Sequence, residues 1–394
     1  MRHWQKTSLF TIAFLIALFI GLIYAFNLSV KVTPLKNIEF SPGEQKAMAE
    51  QEYDSIKPKN IIIFIADGMG FSHMSLAMMT QQLEGKSSVW DEFEVRGWHN
   101  TRSIYGPLTD SEASATAMAT GNSTNFGHIG MDKDGNTLEN IFEIASANNY
   151  TTGIVTDSYI WDGSPAAFVA HSRNEDDARD ILKQIAASDL DLIFGELEDL
   201  GEDDVPEKDE SLEIIGKRFQ LLDRSLELPK GNDASKPVAV LFDEDEIQDL
   251  SSTPNLPQLT ETALNYLSNQ ESPFILFVEC EEMDSASHSN ASGRLIDGLA
   301  ALQTTLELVM EFSKNNGETL LVFTSDHETG GLAAVSEDDY PNLQISWGTK
   351  GHTAAVVPLL AYGPGARYFA DVKRNYDIGR VLKNLISNQS FQSQ

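Results

Sequence analysis

The sequence predicts an α/β protein built around a doubly wound, largely parallel sheet with helices on both faces. Three apolar runs carry this prediction: NIIIFIA at residues 60–66, FILFV at 274–278 and TLLVF at 319–323. Apolar runs without polar alternation are typical of strands buried on both faces. Segments with helical periodicity lie between the runs, which favours parallel pairing. With 394 residues and 41% hydrophobic side chains, the chain is long enough to bury a substantial core.

Residues 1–27 have the pattern of a signal anchor or a signal peptide. Arg2 and Lys6 precede an uncharged apolar run from Ser8 to Phe26, which is long enough to span a bilayer as a helix. Bulky side chains at the end of the run leave no clear small-residue cleavage site, which favours a retained anchor over a removed peptide. Both alternatives predict export to the periplasm or cell surface, and the anchor predicts attachment to the membrane.

Residues 28–58 are polar and contain several prolines, as expected of a tether, and residues 59–390 form one large domain. The first predicted strand of this domain, Asn60 to Ala66, ends at Asp67. Ligands of open α/β sheets bind at the carboxyl ends of the strands. An aspartate in that position is, however, by itself most often part of a turn.

Residues 107–121, PLTDSEASATAMATG, place the hydroxyl of Ser111 at the junction of a loop and a helix. Asp110 is the predicted N-cap of that helix, and Gly121 is its predicted C-cap. The unpaired N–H groups at a helix start attract phosphate or another oxyanion, which makes Ser111 a candidate nucleophile. An ordinary N-cap on a buried helix is the alternative. No Ser-x-x-Lys or Gly-x-Ser-x-Gly pattern supplies a base, so activation by metal remains.

Apolar runs and segments with helical periodicity also predict the remaining strands and helices. Further strands are expected at Thr151–Thr156, Leu190–Phe194, Pro237–Phe242 and Val356–Tyr362, and helices at Leu259–Leu267 and Leu295–Phe312. Asp162 and Ser164 are the oxygen donors of the loop after the Thr151 strand. The charged stretch Glu175–Asp177 has the pattern of the exposed start of a helix, which predicts solvated side chains.

Five carboxylates lie at or just after the carboxyl ends of predicted strands, so the fold would gather them at one edge of the sheet. Uncompensated burial would cost several kcal/mol for each of them, and divalent cations would resolve the repulsion. Each nearby histidine is by itself more often structural, but their joint placement favours a metal centre. Mixed His/Asp ligation suits zinc, and an all-oxygen set suits magnesium. The carboxylates are Asp67, Asp162, Glu279, Asp284 and Asp326; the histidines are His288, His327 and His352; the all-oxygen set is Asp67, Asp162, Ser164 and Glu279.

The chain is strongly acidic, with a net charge of −31 from 59 acidic and 28 basic side chains. No basic patch stands out, and the sequence therefore predicts no nucleic-acid-binding surface. The single cysteine, Cys280, excludes an intrachain disulfide. Stability outside the cytoplasm would therefore come from packing and bound metal.

The residues around these strand ends resemble the motifs of the alkaline phosphatases, a family of metal-dependent phosphomonoesterases. The resemblance runs from about Asn60 to Gly365, most of the predicted domain. The matching motifs are Asp67-Gly68-Met69-Gly70, Thr109-Asp110-Ser111 with Ala113–Ala117, Asp162-x-Ser164-Pro165-Ala166-Ala167, Glu279 with Asp284 and His288, Asp326-His327-Glu328-Thr329-Gly330-Gly331, and Gly351-His352-Thr353.

This resemblance implies an alkaline-phosphatase-like catalytic domain that hydrolyses small-molecule phosphate monoesters through a phosphoserine on Ser111. It implies release of inorganic phosphate outside the cytoplasm, and it leaves a homodimer open. Arg173 would bind the phosphate oxygens. The implied cofactors are two zinc ions and one magnesium ion. Their implied ligands are Asp284, His288 and His352 for the first zinc, Asp67, Asp326 and His327 for the second zinc, and Asp67, Asp162, Ser164 and Glu279 for magnesium.

Several positions depart from the family pattern. Cys280 follows the magnesium-binding glutamate, where the family commonly has glycine, and Glu112 follows the nucleophile, where it commonly has alanine. The phosphate-binding arginine usually lies four residues after a histidine, whereas Arg173 lies two residues after His171.

Only residues 328–351 separate His327 from His352, so the crown insert that many relatives place there is short or missing. The alternatives within the superfamily are a phosphodiesterase, which generally lacks the third metal site, and a sulfatase. A sulfatase would also have a Cys/Ser-x-Pro-x-Arg stretch, and the sequence from Ser111 onward is not one. An inactive surface protein that binds phosphorylated ligands is the alternative from a different class.

Overall fold

The computed structural model describes residues 57–83, 87–197, 207–231, 235–247, 249–335 and 344–387. The predicted signal anchor or signal peptide of residues 1–27 and nearly all of the tether of residues 28–58 lie outside these ranges. Within the ranges, no helix combines the length and the apolar character that a membrane span requires.

Nine of the described strands form one sheet at the centre of the protein. They are β1 (Asn60–Ala66), β2 (Val95–His99), β3 (Thr151–Tyr159), β4 (Leu192–Glu196), β5 (Gln220–Leu221), β6 (Val238–Phe242), β7 (Phe274–Cys280), β8 (Thr319–Thr324) and β13 (Val357–Tyr362). Two pairs of short strands lie outside it: β9 (Glu328–Thr329) with β12 (His352–Thr353), and β10 (Ala333–Val335) with β11 (Gln344–Ser346).

The order of strands in the sheet is β2-β13-β8-β1-β7-β3-β4-β6-β5. Neighbours from β8 to β5 are parallel, while β13 runs antiparallel to both β8 and β2. The prediction of a largely parallel sheet is thereby confirmed. In the middle of the sheet, Ile65 of β1 lies opposite Glu279 of β7 and Thr324 of β8. This register brings Asp67, which follows β1, to the same edge as Glu279 and the residues that follow β8.

Helices cover both faces of the sheet. They are α1 (Phe71–Leu83), α2 (Ser111–Thr120), α3 (Ile141–Ala147), α4 (Gly163–Ala167), α5 (Ala178–Ala187), α6 (Glu207–Gly216), α7 (Leu256–Ser268), α8 (Glu282–Ser289), α9 (Ser292–Asn316) and α10 (Asn375–Ser387). Successive side chains of β1 point to opposite faces. Ile61, Ile63 and Ile65 accordingly pack with α2, α3, α5 and α10, while Ile62 and Phe64 pack with α1, α7, α8 and α9. The fold is therefore doubly wound, as predicted.

The predicted strands and helices of the domain are present with shifted ends, and six of the described strands, β2, β5 and the short β9–β12, were not predicted. β3 continues to Tyr159, three residues beyond its predicted end. The predicted loop around Ser164 begins the short helix α4, which Asp162 caps. Sequence reasoning missed β2, in which exposed and partly buried residues alternate as expected of the outermost strand of a sheet.

Candidate active site

Backbone hydrogen bonds between neighbouring strand ends position the carboxylates. The N–H of Asp67 donates to the carbonyl of Cys280, the last residue of β7, at 3.0 Å. The N–H of Gly68 donates to Oδ1 of Asp326 at 3.2 Å. Because Asp326 and His327 follow β8, these two bonds tie the ends of β7, β1 and β8 together.

Ser111 is the first residue of α2, as predicted. Asp110 caps the helix because its Oδ1 accepts a hydrogen bond from the N–H of Ala113 at 2.9 Å, and Gly121 ends the helix with a φ of 73°. The Ser111 hydroxyl oxygen lies 3.1 Å from Nε2 of His327. The start of α2, where backbone N–H groups lack helical partners, therefore meets the carboxyl end of β8.

The first cluster consists of Asp284, His288 and His352, whose ligand atoms all lie within 4.8 Å of one another. Nε2 of His288 is 3.1 Å from Oδ2 of Asp284 and 3.1 Å from Nε2 of His352. Nδ1 of His288 lies 2.6 Å from the carbonyl oxygen of Lys350, and Nδ1 of His352 lies 2.9 Å from the carbonyl oxygen of Thr109. A carbonyl requires an N–H partner, so each neutral ring keeps its Nε2 unprotonated and available as a ligand.

The second cluster surrounds His327, which is fully buried. Its Nε2 lies 3.0 Å from Oδ2 of Asp326 and 3.6 Å from Oδ1 of Asp67. The three residues whose ligand atoms all fall within 4.8 Å are Asp67, His327 and Asp284. Oδ1 of Asp284 is 3.8 Å from Nδ1 of His327. Asp284 therefore contacts both clusters, whereas the sequence placed it only in the first.

The residues predicted for magnesium have different local partners. Glu279 is buried, and its Oε2 accepts a hydrogen bond from the Thr156 hydroxyl at 2.6 Å. Both oxygens of Asp162 already have protein donors, the Ser158 hydroxyl at 2.6 Å and the N–H of Gly163 at 2.8 Å. Within the described ranges, Asp162 and Glu279 do not join a three-residue cluster of the 4.8 Å kind. Glu279 thus keeps an oxygen without a protein donor, and Asp162 does not.

Four buried oxygens at this edge have no hydrogen-bond partner: Oδ1 of Asp67, Oγ of Ser164, Oε1 of Glu279 and Oδ2 of Asp326. Buried polar atoms without partners are rare in folded proteins and cost about 1–3 kcal/mol each. Three of the four are carboxylate oxygens, which are ligands that divalent cations prefer. The donor set and its unsatisfied state therefore fit bound metal ions.

The carboxylates also disfavour one another's charge. Burial, followed by the charges of Asp326 and Asp284, raises the pKa of Asp67 well above its ordinary value. Burial raises the pKa of Glu279 as well, and the charge of Asp162 adds to the effect. Positive charge from metal ions would remove this penalty, which is the compensation that the sequence predicts.

The alkaline phosphatase family model matches residues 58–196 and 208–342, more than half of the chain. This chain belongs to the alkaline phosphatase family. Alkaline phosphatase 4 of Bacillus subtilis strain 168 is 29% identical over 436 residues, which cover 87% of this chain and 91% of the relative. The alkaline phosphatase of Escherichia coli strain K12 is 25% identical, with 86% and 88% covered. The protein is therefore a phosphomonoesterase, as the resemblance implies.

Solved structures of this family share the fold. The alkaline phosphatase from the Antarctic bacterium TAB5 is 29% identical and superposes with a TM-score of 0.74, covering 84% of this chain and 98% of the TAB5 chain. A histidine-to-aspartate mutant of the TAB5 enzyme, 30% identical to this chain with a TM-score of 0.73 and the same coverage, has Mg bound in its M3 site.

Arg173 of this alkaline phosphatase contacts a turn. Its Nη2 donates to the carbonyls of Asp134 at 3.3 Å and Gly135 at 3.0 Å. The guanidinium lies so close to Gly135 that a Cβ there would be 2.2 Å from Nε of Arg173. None of its contacts within the described ranges reaches Ser111. The spacing of Arg173 from His171 could not predict where the guanidinium lies, because the turn that accepts its hydrogen bonds belongs to a distant part of the sequence.

Thr329, to which the sequence patterns assign no role, links the two clusters. Its hydroxyl donates to Oδ1 of Asp284 at 2.5 Å and lies 3.1 Å from Nδ1 of His327. His352 pairs with Thr329 across β9 and β12, and the rings of His327 and His352 stack with centroids 3.6 Å apart. The sequence feature that could have revealed this role is the spacing, because Thr329 lies two residues after His327 and both side chains are on the same face of an extended segment.

Proposed function

We propose that this alkaline phosphatase forms a phosphoserine on Ser111 and binds two zinc ions and one magnesium ion at the strand ends. The proposal is carried by the 3.1 Å contact between the Ser111 hydroxyl and Nε2 of His327, at the start of a helix and beside buried oxygens that lack partners. A helix start is a favourable place for a phosphate group.

Three sets of residues would hold the ions. When bound, such ions lower the pKa of a coordinated hydroxyl and stabilise charge on a transferring phosphoryl group. Magnesium in the M3 site of the histidine-to-aspartate mutant of the TAB5 enzyme, which is 30% identical, supports the magnesium part of the proposal. The sets are Asp284, His288 and His352 for the first zinc, Asp67, Asp326 and His327 for the second zinc, and Asp67, Asp162, Ser164 and Glu279 for magnesium.

Hydrogen bonds within the chain prepare His327 for contact with Ser111. Because the Thr329 hydroxyl donates its proton to Asp284, its oxygen accepts from Nδ1–H of His327. The neutral ring then carries no proton on Nε2, the nitrogen that faces Ser111. This tautomer leaves Nε2 able to act as a ligand and keeps it from donating to the serine.

The reaction would proceed in two displacements at phosphorus. In the first, the Oγ–P bond of Ser111 forms while the bond between phosphorus and the ester oxygen breaks, and the departing oxygen takes up one proton in place of the one that the serine loses, so that it leaves as the alcohol. In the second, water attacks phosphorus, the Oγ–P bond breaks, a proton from the water returns to Oγ of Ser111, and inorganic phosphate is released. The N–H groups at the start of α2 would hold the phosphate during both steps.

A comparison of Ser111→Ala with wild type tests the serine, using p-nitrophenyl phosphate turnover and the metal content of the same samples. We expect turnover to fall by roughly a thousandfold or more, about 4 kcal/mol of barrier, with metal content retained. Ser75→Ala is the control, because the Ser75 hydroxyl is exposed and bonds only within its own helix. Mass spectrometry of acid-quenched wild type should find phosphate on Ser111. Full turnover by Ser111→Ala with unchanged metals would exclude this route.

The residues proposed to bind magnesium distinguish a phosphomonoesterase from a phosphodiesterase. A monoester dianion carries an extra non-bridging charge, so a third cation should favour it more than a diester. We therefore expect Glu279→Gln to lower p-nitrophenyl phosphate turnover far more than any turnover of bis-p-nitrophenyl phosphate. Equal losses on both substrates would contradict this role of Glu279, and a wild type that prefers the diester would contradict the monoesterase assignment.

We propose further that Arg173 binds the phosphate oxygens, which requires its guanidinium to leave the carbonyls of Asp134 and Gly135 when substrate enters. Arg173→Ala should then weaken inhibition by inorganic phosphate and lower kcat/KM. Arg179→Ala, in the first turn of the next helix, is the comparison. Loss of both properties in Arg179→Ala alone would assign the role to Arg179.

Export and membrane attachment through residues 1–27 complete the proposal, on the strength of the apolar run from Ser8 to Phe26. We expect the mature protein to stay in the membrane fraction with this segment in place. N-terminal sequencing decides the point, since a chain that starts near residue 28 and is soluble has lost its anchor.

A further inference from the structure

A buried histidine outside both clusters joins two of the segments that carry the aspartates. His73 lies in the first turn of α1, directly after the loop from Asp67 to Gly70, and it has no exposed surface. Its Nδ1 lies 3.2 Å from the backbone nitrogen of Gly70, and its Nε2 lies 3.1 Å from the hydroxyl oxygen of Ser287 in α8. Each nitrogen of the ring is therefore engaged with a different segment.

The partners of His73 fix which nitrogen carries the proton. The N–H of Gly70 donates to Nδ1, so the neutral ring carries its proton on Nε2. Ser287 leads to the same assignment, because its hydroxyl donates to the Met283 carbonyl at 2.6 Å and can only accept from the ring. Burial lowers the pKa of His73 to about 4, which keeps the ring neutral at neutral pH. Both contacts thus give one tautomer, and the hydrogen bonds run in one direction from the loop to α8.

These hydrogen bonds end beside two residues of the first cluster. The two residues of α8 that take part in them directly precede Asp284 and His288. The loop approaches the same helix so closely that a Cβ on Gly68 would be 2.7 Å from Oδ1 of Asp284. Burial raises the pKa of Asp67, and the charge of Asp284 adds to the effect, so the two carboxylates repel each other across this contact. The bond from the histidine to α8 acts against that repulsion.

A helix cap is the simpler role for His73. In a capping box, the side chain at the third helical position accepts a hydrogen bond from the N–H of the N-cap residue. Gly70 holds the N-cap position of α1, because its carbonyl accepts the first helical bond from Met74. A cap accounts for the contact of Nδ1 alone. The contact of Nε2 reaches a helix 214 positions away in the sequence, and a cap does not require it.

We propose that His73 is a positioning residue that holds Asp284 and His288 in place against the loop after Asp67, and so prepares the first cluster for its metal ion. This inference rests on the zinc site proposed above for that cluster. Without the bond to Ser287, the carboxylates of the metal-free protein would push α8 and the loop apart. Metal binding would then have to bring the ligands back together, which weakens it.

Two substitutions of His73 separate its two contacts. In His73→Gln, the amide nitrogen can reach the position of Nε2 and donate to Ser287. In His73→Asn, the amide oxygen takes the place of Nδ1 and accepts from Gly70, but the side chain ends short of Ser287. Zinc affinity is measured by competition with a chelator, and the unfolding temperature is measured without metal. We expect His73→Asn to bind zinc about three- to tenfold more weakly than wild type, and His73→Gln to stay within about twofold.

The partner residue gives a second, smaller change. Ser287→Ala should lower zinc affinity by about the same factor as His73→Asn, and the double variant should lose little more than either single one. Ser313→Ala is the matched control, because the Ser313 hydroxyl is also buried and donates to the carbonyl four residues earlier, that of Val309, at 2.7 Å. This control should bind zinc as wild type does.

The opposite pattern would overturn the proposal. If His73→Asn keeps the zinc affinity of wild type while His73→Gln lowers the unfolding temperature, His73 is a helix cap only. Unchanged zinc affinity in Ser287→Ala, or an equal loss in Ser313→Ala, would overturn the positioning role even if both His73 variants fold poorly. A wild type that binds no zinc would contradict the proposed metal sites themselves, so the wild type distinguishes that failure from a failure of the inference about His73.

Discussion

Replacement of Thr329 by valine should weaken the binding of the zinc ions that we propose for the two clusters. Thr329 is fully buried, and its hydroxyl bridges Oδ1 of Asp284 and Nδ1 of His327. Valine has nearly the same shape and lacks the hydroxyl. The variant would therefore leave a buried carboxylate oxygen without its donor and the imidazole without the acceptor that fixes its tautomer.

The size of the effect follows from the hydrogen bond to a charged group. Such bonds contribute about 1.5–3 kcal/mol. Every 1.4 kcal/mol or so is about a factor of ten in affinity, so zinc should bind about 10- to 100-fold more weakly to Thr329→Val. This range agrees with the losses of about 10- to 100-fold that follow removal of a group that orients a metal ligand.

The assay is competition for zinc between the enzyme and a chelator of known affinity, which needs no turnover. Thr329→Ser keeps the hydroxyl and should bind zinc with nearly the affinity of wild type. Thr304→Val is the matched control, because the Thr304 hydroxyl donates only to the Ala300 carbonyl of its own helix. Unchanged zinc affinity in Thr329→Val, or equal losses in the serine and valine variants, would refute the bridging role.

Three further outcomes follow from the structure. Gly68→Ala should lower zinc content and the melting temperature, because Gly68 has a φ of 70° and its Cβ would lie 2.7 Å from Oδ1 of Asp284. Glu143→Gln should lower the free energy of unfolding by up to about 1 kcal/mol in denaturant titrations, chiefly between about pH 4.5 and 6.5. The hydrogen bond to Glu143 raises the pKa of His171, so the stability that His171 contributes is lost as pH rises through the raised value. Burial raises the pKa of Glu143, but its hydrogen bonds, first the one to His171, lower it by more, so the stability that Glu143 contributes is lost as pH falls through the lowered value. The Cys280 thiol is fully buried and should therefore not react with Ellman's reagent in the native protein. Cys280→Ala should keep the turnover and the metal content of wild type. Fast labelling of the native protein, or loss of metal from the variant, would contradict this prediction.

The sequence predicted the parts of the fold that depend on the residues of one continuous segment. The run from Asn60 to Ala66 contains no polar break after its first residue, and it forms the fully buried central strand. Parallel pairing then brings Asp67, Glu279 and Asp326 to one edge, because the carboxyl ends of parallel strands lie side by side. Ser111 was predictable for a similar reason, since a capping residue and a terminating glycine mark its helix within a short stretch of sequence.

Contacts between distant segments could not be predicted from local pattern. The apolar run that forms β13 does not encode its direction, which depends on the path of the chain after β12. Asp284 was assigned to one cluster by its spacing from His288, yet its Oδ1 also lies 3.8 Å from Nδ1 of His327, a contact between segments far apart in the sequence. Thr156 donates to Glu279 from the last residue of a strand predicted as Thr151–Thr156, and Ser158, which donates to Asp162, lies beyond that predicted end.

The two departures from the family pattern beside the nucleophile differ in their electrostatic effect. Burial, with the charge of Asp110 adding to it, raises the pKa of Glu112 to about 10, so this side chain is protonated at neutral pH and adds no negative charge beside Ser111. The Arg173 guanidinium donates to the backbone carbonyls of Asp134 and Gly135, and in this position it brings no positive charge to Ser111. If Arg173 binds phosphate as proposed, the affinity for phosphate therefore depends on movement of Arg173 away from these carbonyls, and replacement of Glu112 should change that affinity much less than replacement of Arg173.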